Sequence, residues 1–210
     1  MQALFVHGMG RSPLSGWRLL VRLRARGITP RAFGYVTPFQ DFDVIRNRLV
    51  ARIDALAPQG DYVLIGHSLG GVLLRAAVAS LPAGVRLPRQ VFLLGSPVRP
   101  SRLAQKLRRN WIFRVLAGDC GQLLASTERM AQIEAGTVSV NNVPVVSIVG
   151  VRGWRGRLSP FGDEINDGIV AVSEVSAAWI TEVVRVPVFH TYLPSSGQVA
   201  GVVLERAGGG

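Results

Sequence analysis

The sequence predicts an α/β fold: a sheet of about six mainly parallel strands with helices on both faces. Three observations carry this. Short, nearly all-apolar runs at residues 3–6, 62–65 and 90–94 have strand length and lack polar alternation, as strands covered on both faces do. Between them lie segments whose apolar residues recur every three or four positions, so strand and helix alternate along the chain. With 210 residues, 48% of them hydrophobic, the chain can bury a sizeable core. No internal repeat and no linker divides it, so residues 1–210 read as one domain.

Composition narrows the classes further. No apolar run approaches the roughly 20 residues that a membrane-spanning helix needs. Met1 leads straight into an apolar strand, without a basic leader or a small-residue cleavage site, which predicts a cytoplasmic protein. Cys120, the one cysteine, has no partner for an internal disulfide, which suits a reducing compartment. The net charge is +11, from 24 basic against 13 acidic residues, and nearly all the basic ones are arginine. These arginines are scattered, with no zinc-ligand spacing and no recognisable nucleic-acid module, so nucleic acid is not an expected partner. Peripheral attraction to anionic lipid, or to acidic substrates, fits the same charge.

Residues 3–6 form the first strand, and His7, Gly8, Met9 and Gly10 turn the chain sharply over the sheet's end. Residues 16–26 are helical, with Trp17, Leu19, Leu20 and Leu23 on one side and Arg18, Arg22 and Arg26 on the other; Gly27 stops the helix. Residues 31–36 predict a second strand, ended by Pro38. Asp41 or Asp43 can start the next helix, whose apolar positions are Val44, Ile45, Leu49, Ile53 and Leu56. Pro58 and Gly60 close it before the strand at 62–65. Residues 72–79 are rich in helix formers, and residues 81–84 loop to the strand at 90–94. Residues 99–134 are helical in composition and irregular in pattern. Strands at 143–149 and 181–186 bracket a glycine- and arginine-rich loop at 150–162, and residues 195–205 predict a closing helix before a glycine tail.

Right-handed crossovers put the C-terminal ends of parallel strands on one rim. His7, Ser68, Ser96, Asp167 and His190 lie just after predicted strands or in the loops that follow, so they converge there. Gly66-His67-Ser68-Leu69-Gly70-Gly71, between a strand and a helix, reads as a nucleophile elbow. Strand and helix pass so close at such a turn that the residues flanking Ser68 must lack bulk. The turn also sets Ser68 at a helix N-terminus, where free N–H groups and the positive dipole end favour an oxyanion.

A serine hydroxyl is a weak nucleophile and needs a base within hydrogen-bond reach. Three histidines are available. His67 adjoins Ser68, and adjacent side chains diverge at such a turn. His7 is fixed at the end of the first strand, among small residues suited to presenting backbone N–H groups. His190 is therefore the candidate base. Asp167 is the candidate acid that would orient it; Asp163 and Glu164 are rivals in a looser loop, and Asp119 reads as solvated. The backbone N–H groups of Leu69 and Met9 are candidate oxyanion donors. The chain order Ser, Asp, His is that of the α/β hydrolases rather than of the chymotrypsin or subtilisin types.

His7-Gly8-Met9-Gly10, the elbow, Leu94-Gly95-Ser96-Pro97 and Asn166-Asp167-Gly168-Ile169-Val170 together resemble the motifs of the α/β-hydrolase superfamily, and within it the small bacterial lipases and esterases. The resemblance runs from the first strand to His190. It implies a minimal α/β-hydrolase that cleaves lipid-like carboxylic esters through an acyl-serine intermediate, with no organic cofactor. The alternatives are acyl transfer or thioester cleavage with the same residues, or a non-catalytic module that binds lipid or protein. The superfamily's usual first two antiparallel strands are missing. Some members bind structural calcium, but no acidic cluster here demands a metal. Residues 99–134 fall where the superfamily carries its cap. Leu103, Leu107, Trp111, Val115 and Leu116 approximate one apolar face beside Arg102, Lys106, Arg108, Arg109 and Arg114, which predicts a lid over an acyl pocket or a surface for anionic lipid.

Overall fold

The computed structural model describes residues 1–139 and 143–208. Six strands, β1 (Gln2–Val6), β2 (Thr29–Phe33), β3 (Tyr62–His67), β4 (Gln90–Leu94), β5 (Val145–Gly150) and β6 (Glu182–Val186), form one sheet. All neighbouring pairs are parallel, in the order β2-β1-β3-β4-β5-β6. Seven α-helices are described: α1 (Trp17–Arg24), α2 (Phe42–Leu56), α3 (Leu69–Ala79), α4 (Arg102–Leu107), α5 (Trp111–Ala125), α6 (Thr127–Ser139) and α7 (Gly197–Gly208). None is long and apolar enough to cross a membrane. The end of the expected glycine tail, Gly209 and Gly210, lies outside the described residues.

The pleat explains why the strands read as continuous apolar runs. Successive side chains point to opposite faces, and each face has its own helical layer. Leu4 and Val6 of β1 join Ile45, Leu49 and Ile53 of α2 and Leu73 of α3 in one buried cluster. Ala3 and Phe5 join Leu19 and Leu23 of α1 and Val203 of α7 in the other. The two edge strands are the exceptions. In β2 and β6 most residues are at least partly exposed, and β2 begins two residues earlier than expected because an edge position tolerates Pro30, which has no N–H to pair. Trp17 and Val44, expected to face the core, are exposed.

The segment after β4 differs most from expectation. It is not one irregular helix ending near residue 134. Gly118 has φ +54°, which kinks α5, and α6 continues to Ser139, packed on α3. The single apolar face expected along residues 103–116 is divided: Leu103 and Leu107 turn inward beside Ser68, whereas Trp111, Val115 and Leu116 are exposed.

Asp119, read as solvated, holds two elements together. Its Oδ2 accepts the first backbone N–H of α2, that of Phe42, at 2.9 Å, and also a bond from Arg129 Nη2 at 3.0 Å. Asp41 stands in the N-cap position of α2 but its side chain makes no cap bond. Hydrogen bonding from Arg129 holds the Asp119 carboxyl below the usual carboxylate range. Asp119→Ala is expected to lower unfolding stability by about 1–2 kcal/mol at pH 7, read from urea titrations. Because the folded-state pKa is depressed, this contribution is complete above about pH 4 and is lost as pH falls through the lowered value, so parent and variant should converge in acid. A constant difference down to about pH 2 would contradict the assignment.

Candidate active site

The β3–α3 turn is sterically determined. Ser68 has φ +52° and ψ −123°, and it is the only non-glycine with positive φ among the described residues. Such a conformation costs roughly 1–3 kcal/mol and persists only where the surroundings enforce it. The surroundings here are tight. A methyl on Gly66 would strike the Gly71 backbone, one on Gly70 the Val6 carbonyl, and one on Gly71 the Ser96 side chain. The glycines around Ser68 are thus required by contact. The Ser68 N–H donates to the Leu94 carbonyl at 2.9 Å, tying the turn to the end of β4. Ser96, expected on the reactive rim, is fully buried against the elbow with its Oγ unpartnered.

Asp167 and His190 meet after β5 and β6. His190 Nδ1 lies 2.7 Å from Asp167 Oδ2, and the His190 N–H donates to the Asp167 carbonyl at 2.9 Å. Asp167 Oδ1 accepts the N–H groups of Ile169 at 2.9 Å and Val170 at 2.8 Å. Both side chains are buried. An ionised Asp167 keeps the proton on His190 Nδ1 and leaves a lone pair on Nε2, the state a base requires. The rivals stand apart from His190: Asp163 is exposed, and Glu164 pairs with Arg102 at 2.6 Å and accepts the Ser173 N–H.

Two residues not singled out as part of the site shape it. Asn166 donates to the carbonyls of Trp154 and Glu164 and accepts the Gly168 N–H at 2.9 Å, which fixes the turn carrying Asp167. Gly95, at the end of β4, lies beneath the pair; a methyl there would stand 2.8 Å from His190 Nδ1 and 2.9 Å from Asp167 Oδ2. The Leu-Gly-Ser-Pro sequence was the signal for Gly95, whereas the role of Asn166 needs the folded turn to be visible.

No hydrogen bond joins Ser68 to His190 among the described residues. The elbow is linked to the His190 loop through His67 instead. His67 is fully enclosed, with Nε2 3.1 Å from the His190 carbonyl and its ring centroid 4.8 Å from that of His190. A carbonyl only accepts, so His67 Nε2 carries the proton. Burial, then the charge of His190, pushes the His67 pKa well down, and its Nδ1 is left without a partner. His7 is likewise structural. The Tyr35 N–H reaches its Nε2 at 3.3 Å, so Nδ1 donates to the Gly8 carbonyl at 2.8 Å. Its ring stacks on Tyr35 at 4.2 Å, and burial lowers its pKa.

Ser68 and Met9 line one cavity of about 60 Å³. Leu103 and Leu107 of α4 and Phe113 of α5 contribute to its walls, as do Ile169 and Val170 from the Asp167 turn. Leu69 opens α3, so its N–H belongs to the helical turn that has no intrahelical acceptors. Among the described residues, no group of three or more His, Cys, Asp or Glu side chains is disposed to hold a metal ion.

A family model described as "Alpha/beta hydrolase family" matches residues 3–206. No curated protein sequence matches the chain well enough to count as a relative. Solved structures of similar fold include a methylesterase from Arabidopsis, with TM-score 0.65 at 14% identity, covering 99% of this chain and 99% of that one. A thermophilic esterase from Thermogutta terrifontis has TM-score 0.63 at 17% identity, covering 100% and 90%. A thioesterase of prodiginine biosynthesis in Streptomyces coelicolor has TM-score 0.59 at 15% identity, covering 100% and 89%. At these identities the likeness is one of fold.

Proposed function

The chain belongs to the alpha/beta hydrolase family, and from that premise we propose that it is a serine hydrolase cleaving carboxylic esters with short acyl groups. The contact between Asp167 and His190, on the rim that also presents the strained Ser68, carries this reading. His190 Nε2 takes the proton of Ser68 Oγ as that oxygen attacks the ester carbonyl. Asp167 stabilises the imidazolium that forms. The N–H groups of Leu69 and Met9 receive the developing oxyanion, and the dipole of α3 adds to the field. His190 then returns the proton to the departing alcohol, and water, deprotonated by His190, releases the acid from Ser68.

The small cavity beside Ser68 supports a short acyl group, with α4 and the start of α5 as its roof. Profiling nitrophenyl esters of graded chain length tests this directly. Acetyl and propionyl esters should turn over fastest and dodecanoyl esters not at all; the reverse order would remove the short-chain reading. Thioester cleavage, the activity named for the Streptomyces neighbour, needs the same parts. An acyl-thioester and an added alcohol acceptor in the same panel separate cleavage of esters, cleavage of thioesters and acyl transfer by their products.

His67 is assigned a positioning role, because its N–H holds the main chain of the base. His67→Leu is expected to lower kcat about five- to tenfold, the worth of one hydrogen bond, with KM nearly unchanged. His67→Gln, which keeps a donor, should recover most of the loss. Equal kcat in the leucine and glutamine variants would end the assignment.

A further inference from the structure

On the sheet face away from α1 and α7, a cavity of about 160 Å³ lies between α3, α6 and the strands β4 and β5. Its walls are mostly apolar, formed by Val78, Val91 and Val145 with the ring of Trp179, and one cation, Arg75, lines it. Arg75 is 3% exposed. Its Nη1 donates to the Pro97 carbonyl at 3.1 Å and its Nε to Thr137 Oγ1 at 3.2 Å, while Nη2 is buried without a partner. The guanidinium carbon sits 5.1 Å from the Trp179 ring centroid. No carboxylate among the described residues forms an ion pair with it. Glu134, whose charge acts on Arg75 from a distance, instead accepts the Trp179 indole N–H at 3.1 Å. Burial lowers the guanidinium pKa to about 10, so Arg75 is charged at neutral pH.

A buried cation with a free N–H and no ion pair is costly. An unsatisfied buried donor destabilises by itself, and an unpaired buried charge destabilises more. Thr137 and Pro97 each accept one N–H of Arg75, and Nη2 is left enclosed without a partner. An anion with two acceptor oxygens suits an unpaired guanidinium, and an apolar body suits the valine walls and the indole face. The volume is close to the roughly 150 Å³ of an engineered apolar cavity that admits benzene.

We propose that this cavity is a binding site for a small monocarboxylate of about benzoate size, its apolar body against Val91, Val145 and Trp179 and its carboxylate met by Arg75, whose guanidinium turns to bring the unpartnered Nη2 to the cavity. The site is separate from Ser68 and does not depend on the reading of that residue. The two regions share one residue, since Pro97, whose carbonyl Arg75 holds, also lines the Ser68 cavity.

The test is calorimetric titration of the full chain with benzoate and with benzyl alcohol, which has a similar shape and no charge. Benzoate should bind saturably and at least about tenfold more tightly than the alcohol, the worth of one charge-assisted hydrogen bond. Arg75→Met should abolish that preference. Val145→Phe, which fills the cavity and keeps Arg75, should abolish binding of both compounds; it also decides the matter if the methionine variant fails to fold. Leu103→Phe, which adds bulk only to the Ser68 cavity, should leave benzoate binding unchanged. Absence of saturable binding up to about 20 mM, equal binding of acid and alcohol, or undiminished binding in Val145→Phe would each overturn the proposal.

Discussion

Ser68→Ala is expected to lower kcat for a nitrophenyl ester by about a millionfold while leaving the fold intact. The size of the loss follows from the parts acting as a unit. Without the hydroxyl, His190 has no proton to take and the oxyanion donors have no tetrahedral intermediate to hold. Residual turnover then comes only from binding and from the donors acting on attack by water. The fold should survive because alanine keeps the Cβ that serine has, at the same φ of +52°. Ser68 Oγ also makes no hydrogen bond to another side chain among the described residues that alanine would break. Ser68→Gly separates strain from chemistry: it should be equally inactive but more stable by about 1 kcal/mol, because glycine adopts positive φ freely. Single-turnover kinetics and urea titrations on the three proteins measure both effects. An alanine variant within about a hundredfold of the parent would remove Ser68 from the chemistry.

Asp167→Asn is expected to lower kcat by about 10⁴ with nearly unchanged stability. The reason lies in what each carboxylate oxygen does. Oδ1 accepts two N–H groups, from Ile169 and Val170, and Oδ2 accepts the His190 Nδ1 proton at 2.7 Å. An asparagine has one acceptor oxygen, and the two backbone donors claim it. Its NH₂ then faces His190 Nδ1, which must become an acceptor and move its proton to Nε2. The histidine is left in the tautomer that cannot take the Ser68 proton. Asp163→Asn, made in the exposed rival, should change kcat by less than about twofold. If the two asparagine variants are equally impaired, or Asp167→Asn falls less than about tenfold, Asp167 does not orient the base.

How much of this could be read from the sequence depends on whether a residue's role is local. The inner strands were legible because both faces are covered, so residues such as Phe5, Ile65 and Leu93 leave an uninterrupted apolar signal. The edge strand β2 was displaced by two residues because Pro30 and exposed Arg31 carry no such signal. The elbow was legible because Gly66, Gly70 and Gly71 are fixed by contacts within one turn and its neighbours. His190 and Asp167 could be singled out because only three histidines exist, and the structure joins these two residues directly. Ser68 and His190 were paired on the sequence as nucleophile and base, but the hydrogen bond that ties the elbow to the His190 loop comes from His67, which was set aside. Glu174 and Arg75 were silent, and Asp119 was read as solvated. Glu174 accepts the backbone N–H groups of Ala171 and Arg102, and so pins the start of α4 to a loop 72 residues away. Nothing local marks such long-range stitches. The helical segment after β4 was misjudged in extent because the Gly118 kink breaks its periodicity and Ser126 separates α5 from α6 by one residue.

The reading rests on Ser68 being an activated nucleophile, and a fluorophosphonate probe interrogates that without any choice of substrate. Intact-mass and peptide analysis of the folded protein should find a single adduct on Ser68, absent from Ser68→Ala and formed far more slowly in Asp167→Asn. Folded protein that stays unmodified under conditions that label an active serine hydrolase, or an adduct on another residue that persists in Ser68→Ala, would contradict it.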